Sequence, residues 1–174
     1  RRVLVTRIRQ IGDVILTLPL LDAIRDLAPG CVIDYLAETS PAQVVGGHPA
    51  VRRVHSFHPG AWPGLPAGPA LLARLAAARY DWVIDLYGNP RSAILSLLTG
   101  APVRVGPARR SRRRFYTHLL PPVKGPLSAI DHHLLALETL GYRPARTMPR
   151  IHLSEAERAE GMARVDAATP RDVL

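Results

Sequence analysis

Apolar residues fall along the chain in two alternating patterns: short unbroken runs, and longer stretches in which they recur every three or four positions. Val3-Leu4-Val5 is a run of the kind that forms a strand buried on both faces. Val14, Leu18 and Leu21, with Ile15, Ile24 and Leu27, have helical spacing. That helix is predicted to open on Gly12-Asp13 and to stop at Ala28-Pro29-Gly30. Cys31 to Leu36 reads as a second strand, 41–45 as one helical turn closed by Gly46-Gly47, and Val51 to Phe57 as a third strand. The third strand alternates, which places it near a sheet edge.

From Pro59 to Pro69 four prolines and three glycines surround Trp62, a loop composition. Leu71, Leu72, Leu75 and Ala76 mark a helix ending near Arg79, and Trp82 to Leu86 a buried strand. Gly88-Asn89-Pro90 turns into a helix with Pro90 at its first position and Ala93, Ile94, Leu97 and Leu98 as its inner face. Gly100-Ala101-Pro102 ends it, and Val103 to Gly106 is a fifth strand. A proline-bearing loop leads to a helix over about 131–140, apolar at Leu134, Leu135, Leu137 and Leu140 and stopped by Gly141. Beyond Pro149 the pattern fades. Ser154-Glu155-Ala156-Glu157 caps a helix that is polar on most faces and reads as a connector. Strand and helix signals in this alternation predict an α/β, Rossmann-like three-layer domain with a mostly parallel sheet.

Composition adds a sign to this picture. The 174 residues are 47% hydrophobic, enough for one domain with a core, and 23 Lys+Arg against 14 Asp+Glu give a net charge of +9. The excess is almost entirely arginine, which favours forked contacts to phosphate or carboxylate and so an acidic partner. A lone Cys31 forms no internal disulfide, so the fold is expected to be independent of oxidation. The most apolar run, Val14 to Leu21, is closed off by Asp13 and Asp22 and is too short to span a bilayer; the N-terminus does not resemble a signal peptide. The missing initiator Met and the end at Leu174 suggest a trimmed or partial chain.

The candidate chemistry gathers where strands are expected to end. Asp13 follows the first strand, at the edge where open α/β sheets bind ligands; from the residues alone it reads first as a helix N-cap. Arg7, Arg9, Gln10 and Gly12 flank it. Asn89, Arg91 and Ser92 lie at the matching end of the fourth strand beside Asp85, with plain turn and cap roles as the alternative. Arg109, Arg110, Arg112, Arg113 and Arg114 form a basic run, read either as an anion site or as a solvated loop. Nucleic acid is disfavoured, because aromatics are 5% of the chain and Phe115-Tyr116 alone make no stacking platform. His55-x-x-His58 straddles a strand end without a third ligand nearby, and the adjacent positions of Asp131-His132-His133 point apart on a helix, so no metal site is expected. No Gly-x-Gly-x-x-Gly and no P-loop lysine follow the first strand.

Three blocks together resemble a known family. Arg7 to Pro19, then Tyr80 to Ser92 with its Asp-Leu-x-Gly-Asn-x-Arg-Ser pattern, and Leu134 to Gly141 are similar in order and spacing to the lipopolysaccharide heptosyltransferases of glycosyltransferase family nine. The likeness covers roughly residues 2 to 150 and implies the N-terminal, acceptor-binding half of a two-domain GT-B fold. Residues 151–174 would then be the inter-domain connector and the start of a donor-binding half that these residues do not include. The resemblance implies an inverting glycosyltransferase that moves heptose from ADP-heptose to the lipopolysaccharide inner core. Asp13 would be the general base, and Arg7, Arg9, Gln10, Gly12, Asn89, Arg91, Ser92, Arg109, Arg110, Arg112 and Arg113 would bind substrate. It implies no resident cofactor, the nucleotide-sugar being a co-substrate held mainly by the other half. The partners are a lipid-linked anionic acceptor and the surface of the inner membrane, which the protein would meet from the cytoplasm as a peripheral protein. The isolated chain should be inactive. Arg9-Gln10 stands where many members carry two serines, and Tyr87 where Gln or His is usual. Two other readings stay open: a basic, non-enzymatic α/β module for anionic lipid or nucleic acid, and a related transferase with another sugar donor.

Overall fold

A computed structural model describes residues 1–57, 68–109, 111–122 and 125–168. Its centre is a six-stranded sheet in the order β3-β2-β1-β4-β5-β6, built from β1 (Arg2–Thr6), β2 (Val32–Glu38), β3 (Val51–Phe57), β4 (Trp82–Asp85), β5 (Val103–Pro107) and β6 (His118–Leu120). Every pairing is parallel. The helices are α1 (Ile11–Ile15), α2 (Leu18–Leu27), α3 (Thr39–Gly46), α4 (Pro69–Ala77), α5 (Pro90–Leu98), α6 (Ala129–Glu138) and α7 (Glu155–Ala168).

Strand side chains alternate between two cores. Val3, Val5, Ile33, Tyr35 and Ile84 pack with α2, α3 and α6, whereas Leu4, Leu36 and Val83 pack with Leu71 and Leu75 of α4 and Leu95 of α5. The three-layer α/β architecture is therefore the one the alternation of runs predicts. From β1 the chain winds outward through β2 to β3, then crosses back to start β4 on the other side of β1. That reversal makes the carboxyl ends of β1 and β4 the natural crevice of the sheet.

Three local expectations need correction. The first helix is two: Pro19, at the second position of α2, supplies no N–H for a continuous ladder, so α1 stops at Ile15 and α2 restarts at Leu18. The inner face of α5 is formed by Ser92, Ala93, Leu95 and Ser96, while Leu97 and Leu98 are exposed. The hydroxyls of Ser96 and Thr99 donate to the carbonyls of Ser92 (2.8 Å) and Ser96 (2.7 Å), so these polar residues bury without an unmet bond and shift the helix relative to its leucines. The stretch expected as one loop after β5 instead holds a 3₁₀ turn (Arg113–Phe115) and the three-residue β6, too short to leave a periodic signal. The loop around Trp62, from residue 58 to 67, lies outside the described residues, as does His58.

His55, the first histidine of the His-x-x-His pair, belongs to a buried polar knot. Burial works against the charge on Asp34, but hydrogen bonds from His55, Arg52 and Tyr80 outweigh it and hold this carboxyl below the usual range. Among the described residues no group of three or more His, Cys, Asp or Glu side chains is placed to hold a metal ion. After α6 the chain returns across the helices, where Arg146 pairs with Asp131 at 2.8 Å and the His152 ring stands edge-on to His48, 5.0 Å between centroids. It then enters α7, whose side chains through residue 166 are exposed, Met162 and Val165 included. No described helix is long and apolar enough to cross a membrane.

Candidate active site

A long side chain bridges the carboxyl ends of β1 and β4. Arg7, just past β1, donates from Nη1 to the carbonyl of Leu86, just past β4, at 2.9 Å, and from Nη2 to Oδ2 of Asp13. Its guanidinium lies over the Tyr87 ring, 5.6 Å from the centroid. Nε of Arg7 is buried without a partner among the described residues. Arg7 thus straddles the crevice and presents Asp13 at its rim. The other carboxylate oxygen of Asp13 has no partner among the described residues, and the side chain is 38% exposed.

Asp13 is not the helix cap that the residues alone suggest. Gln10 holds the N-cap position of α1, with φ at 67° and no side-chain cap bond, and Asp13 is the third helical residue. With five residues α1 brings only a small dipole, so the positive field at Asp13 comes mainly from Arg7.

The β4 side of the crevice is braced from below. Asp85 is fully buried and its Oδ1 accepts from the Thr6 hydroxyl at 2.9 Å and from the amides of Tyr87 and Gly88 at 3.0 Å each. Its Oδ2 accepts from the Tyr116 hydroxyl at 2.6 Å. Burial, and then the Asp85 charge, push the Tyr116 phenol well up, so it stays a donor. Tyr116 reaches Asp85 by lying across Gly106 in β5: a Cβ there would fall 2.3 Å from the ring. Gly106→Ala therefore evicts this ring, with a loss of about 1–3 kcal/mol read in urea unfolding; an unchanged midpoint would show that the ring finds another seat. Gly88 has φ +62°, with the Pro107 ring 2.4 Å from where its Cβ would be, so this turn also needs glycine.

The remaining candidates divide by where the fold puts them. Asn89 and Ser92 form a reciprocal capping box at the start of α5. The Ser92 amide donates to Asn89 Oδ1 at 2.7 Å and the Asn89 amide to Ser92 Oγ at 3.1 Å, and Ser92 is fully buried. Both shape the turn; Ser92 is turned into the protein, while Asn89 stays partly exposed at its rim. Arg91, one position into that helix, is exposed and carries no carboxylate partner among the described residues. Arg9 turns toward β2 and pairs with Glu38 at 2.9 Å, so part of its charge is already answered. With Gln10, Ile11, Gly12, Ser40 and Pro41 this pair lines an open groove of about 550 Å³ beside Asp13.

On the opposite flank the described residues of the basic run are tied into a turn. The Arg112 and Arg113 amides bond to the Arg109 carbonyl at 2.9 Å, and Arg104 Nε holds the Phe115 carbonyl at 2.9 Å. Arg112 is half-buried with its Nε shielded and unpartnered among the described residues, while Arg109 and Arg113 are exposed. Arg114 rests on the Phe115 ring, 5.1 Å from the centroid. Arg110 lies outside the described residues. Tyr87, Tyr116 and His133 also stand around the crevice, with no local sequence signal that marks them for it. Tyr116 was visible only as half of an aromatic pair, and His133 only as half of a weak metal motif.

A family model described as glycosyltransferase family 9 (heptosyltransferase) matches residues 69–173. Lipopolysaccharide heptosyltransferase 1 of Pseudomonas aeruginosa is 32% identical over 153 residues, 81% of this chain and 43% of the relative. Its counterpart in Escherichia coli K12 is 29% identical over 158 residues, 84% of this chain and 50% of the relative. A solved glycosyl transferase family 9 structure from Veillonella parvula has a TM-score of 0.82 at 25% identity, covering 99% of this chain and 51% of its own. E. coli heptosyltransferase WaaC with ADP has a TM-score of 0.71 at 29% identity, covering 86% of this chain and 50% of its own. The chain spans about half the length of the curated relatives it matches.

Proposed function

The chain belongs to glycosyltransferase family 9, the heptosyltransferase family, and on that premise we propose that it is the acceptor-binding half of an inverting enzyme transferring heptose from ADP-heptose to the lipopolysaccharide inner core. The observation that carries this reading is the carboxylate of Asp13. It stands half-open at the crevice of the sheet, with one oxygen held by Arg7 and the other without a described partner.

In the proposed reaction the free oxygen of Asp13 takes the proton of the acceptor hydroxyl as that hydroxyl's oxygen attacks the anomeric carbon of heptose. The new C–O bond forms on one face while the bond from the anomeric carbon to the diphosphate oxygen breaks on the other, and ADP leaves with that electron pair. Arg7 fixes the carboxylate and is itself fixed by the Leu86 carbonyl and the Tyr87 ring. Arg91, Arg109, Arg112 and Arg113 supply cationic groups on the β4–β5 flank for an anionic, lipid-linked acceptor. Gln10 and Gly12 line the groove on the other flank.

A second half, entered through residues 151–174, would hold the nucleotide-sugar, so the reading needs no resident cofactor and leaves the isolated chain inactive. The exposed, mostly polar α7 suits a connector. The net charge of +9 suits an anionic surface, and we place the enzyme as a peripheral protein on the cytoplasmic face of the inner membrane.

The test is ADP release by the complete two-half enzyme from ADP-heptose in the presence of a heptose-free lipopolysaccharide core. Turnover only with another nucleotide-sugar would overturn the donor, and no transfer at all would overturn the reading. Replacing Arg109, Arg112 and Arg113 with alanine should raise the acceptor KM about tenfold or more while the donor KM moves little. An unchanged acceptor KM would remove the basic flank from acceptor binding.

A further inference from the structure

The break between α1 and α2 is closed by a side chain from far along the chain. In an unbroken helix the Leu20 amide would bond to the Leu16 carbonyl, but it bonds to the Thr17 carbonyl instead, at 3.0 Å. The Leu16 carbonyl accepts from Nδ1 of His133, on α6, at 3.0 Å. His133 is buried, and burial above all, with the nearby Arg7 charge, lowers its affinity for a proton. Because a carbonyl can only accept, the single ring proton of the neutral imidazole sits on Nδ1. Thr17 pins the same break from the sheet side, donating to the Val14 carbonyl at 2.7 Å with its oxygen 2.9 Å from the Tyr35 hydroxyl.

These bonds matter because α1 is short, and apart from the Arg7–Asp13 pair and its packing through Val14 it has little else to orient it. It has five residues, no side-chain cap and one buried side chain, Val14, and a single helical turn is unstable by itself. Its last turn runs from the Gly12 carbonyl to the Leu16 amide, at 3.1 Å, with Asp13 between them. Leu16 is one turn from Asp13, so a hold on its carbonyl limits how α1 can tilt, while Arg7 holds the carboxylate itself.

We propose that His133 is a positioning residue for Asp13, acting through its hydrogen bond to the Leu16 carbonyl to hold α1 at the angle that aims the carboxylate into the crevice. The consequence for turnover rests on the reading of Asp13 as the base; the positioning of α1 does not. The displacement to be prevented is small, since a misplacement of about 1 Å in a reacting group can cost on the order of a hundredfold in rate.

The experiment compares His133→Asn, whose amide keeps a donor near the Nδ1 position, with His133→Leu, which fills the space without one, in the complete enzyme. Hydrogen exchange at the amides of Val14, Leu16 and Thr17 is followed together with kcat and both KM values. The leucine variant is expected to exchange faster across α1 and to lose between about tenfold and a hundredfold in kcat at little-changed KM. The asparagine variant should restore both. If the leucine variant fails to fold, His133→Gln, with its donor displaced by one methylene, takes its place. Unchanged exchange across α1, or an equal kcat loss in the donor-keeping and donor-less variants, overturns the proposal. The exchange readout needs no turnover, so a failure of the transferase reading shows separately, as a wild-type enzyme without activity whose α1 still responds to the substitution.

Discussion

Asp13→Asn in the complete enzyme should lower kcat by about 10²- to 10⁴-fold with little change in either KM and little change in stability. The amide is nearly the same size as the carboxylate, and its oxygen can still accept from Arg7 Nη2, so the bridge between the ends of β1 and β4 keeps its geometry. What disappears is a basic oxygen that has no partner among the described residues at the rim of the crevice. The stability term is small because the Arg7–Asp13 pair is partly exposed, and such pairs contribute at most about 1 kcal/mol. The check is ADP release under saturating substrates beside a urea unfolding curve. Turnover within a few-fold of wild type would remove Asp13 from proton transfer and leave it as a partner for Arg7.

The opposite profile is expected of the second acidic residue at this edge. Asp85→Ala should destabilise the protein by about 3–5 kcal/mol, among the largest effects of any single substitution in this fold. Asp85 is fully buried and answers four donors: the Thr6 and Tyr116 hydroxyls and the amides of Tyr87 and Gly88. Removing the carboxylate strands all four, and the two amides cannot be satisfied without unwinding the turn that carries the Leu86 carbonyl to Arg7. Tyr116→Phe removes a single bond and should cost about 1–3 kcal/mol. Because the two substitutions share one network, the double variant should lose less than the sum. Thermal or urea unfolding of the three variants measures this; an Asp85→Ala protein as stable as wild type would show that the knot contributes little to stability.

The layered fold was legible because burial on both faces of a parallel sheet writes itself as unbroken apolar runs, and Val3-Leu4-Val5 and Trp82-Val83-Ile84 carry that mark. Asp13 and the arginines of the basic run were legible as residues, and their placement at one sheet edge follows from strand direction. What the sequence concealed were pairings between distant residues. Nothing local says that Tyr116 lies on Gly106 to reach Asp85, or that Ser92 turns inward to cap its own helix rather than outward to a ligand. The break at Thr17 was signalled by Pro19 but hidden by leucines that keep helical spacing across it. His133 looked like half of a metal pair because its acceptor is a backbone carbonyl, and a carbonyl has no letter in a sequence.

The two margins of the sheet close it to further growth. β6 is three residues long and runs into Pro121-Pro122, and β3 carries exposed Arg52 and Arg53 along the opposite margin. On the proposed two-half reading, a donor-binding half would then not extend this sheet with strands of its own but would fold around a separate one. Two bodies joined in that way would share no backbone ladder, so they could part to admit the proposed lipid-linked acceptor and close again without breaking a strand pairing.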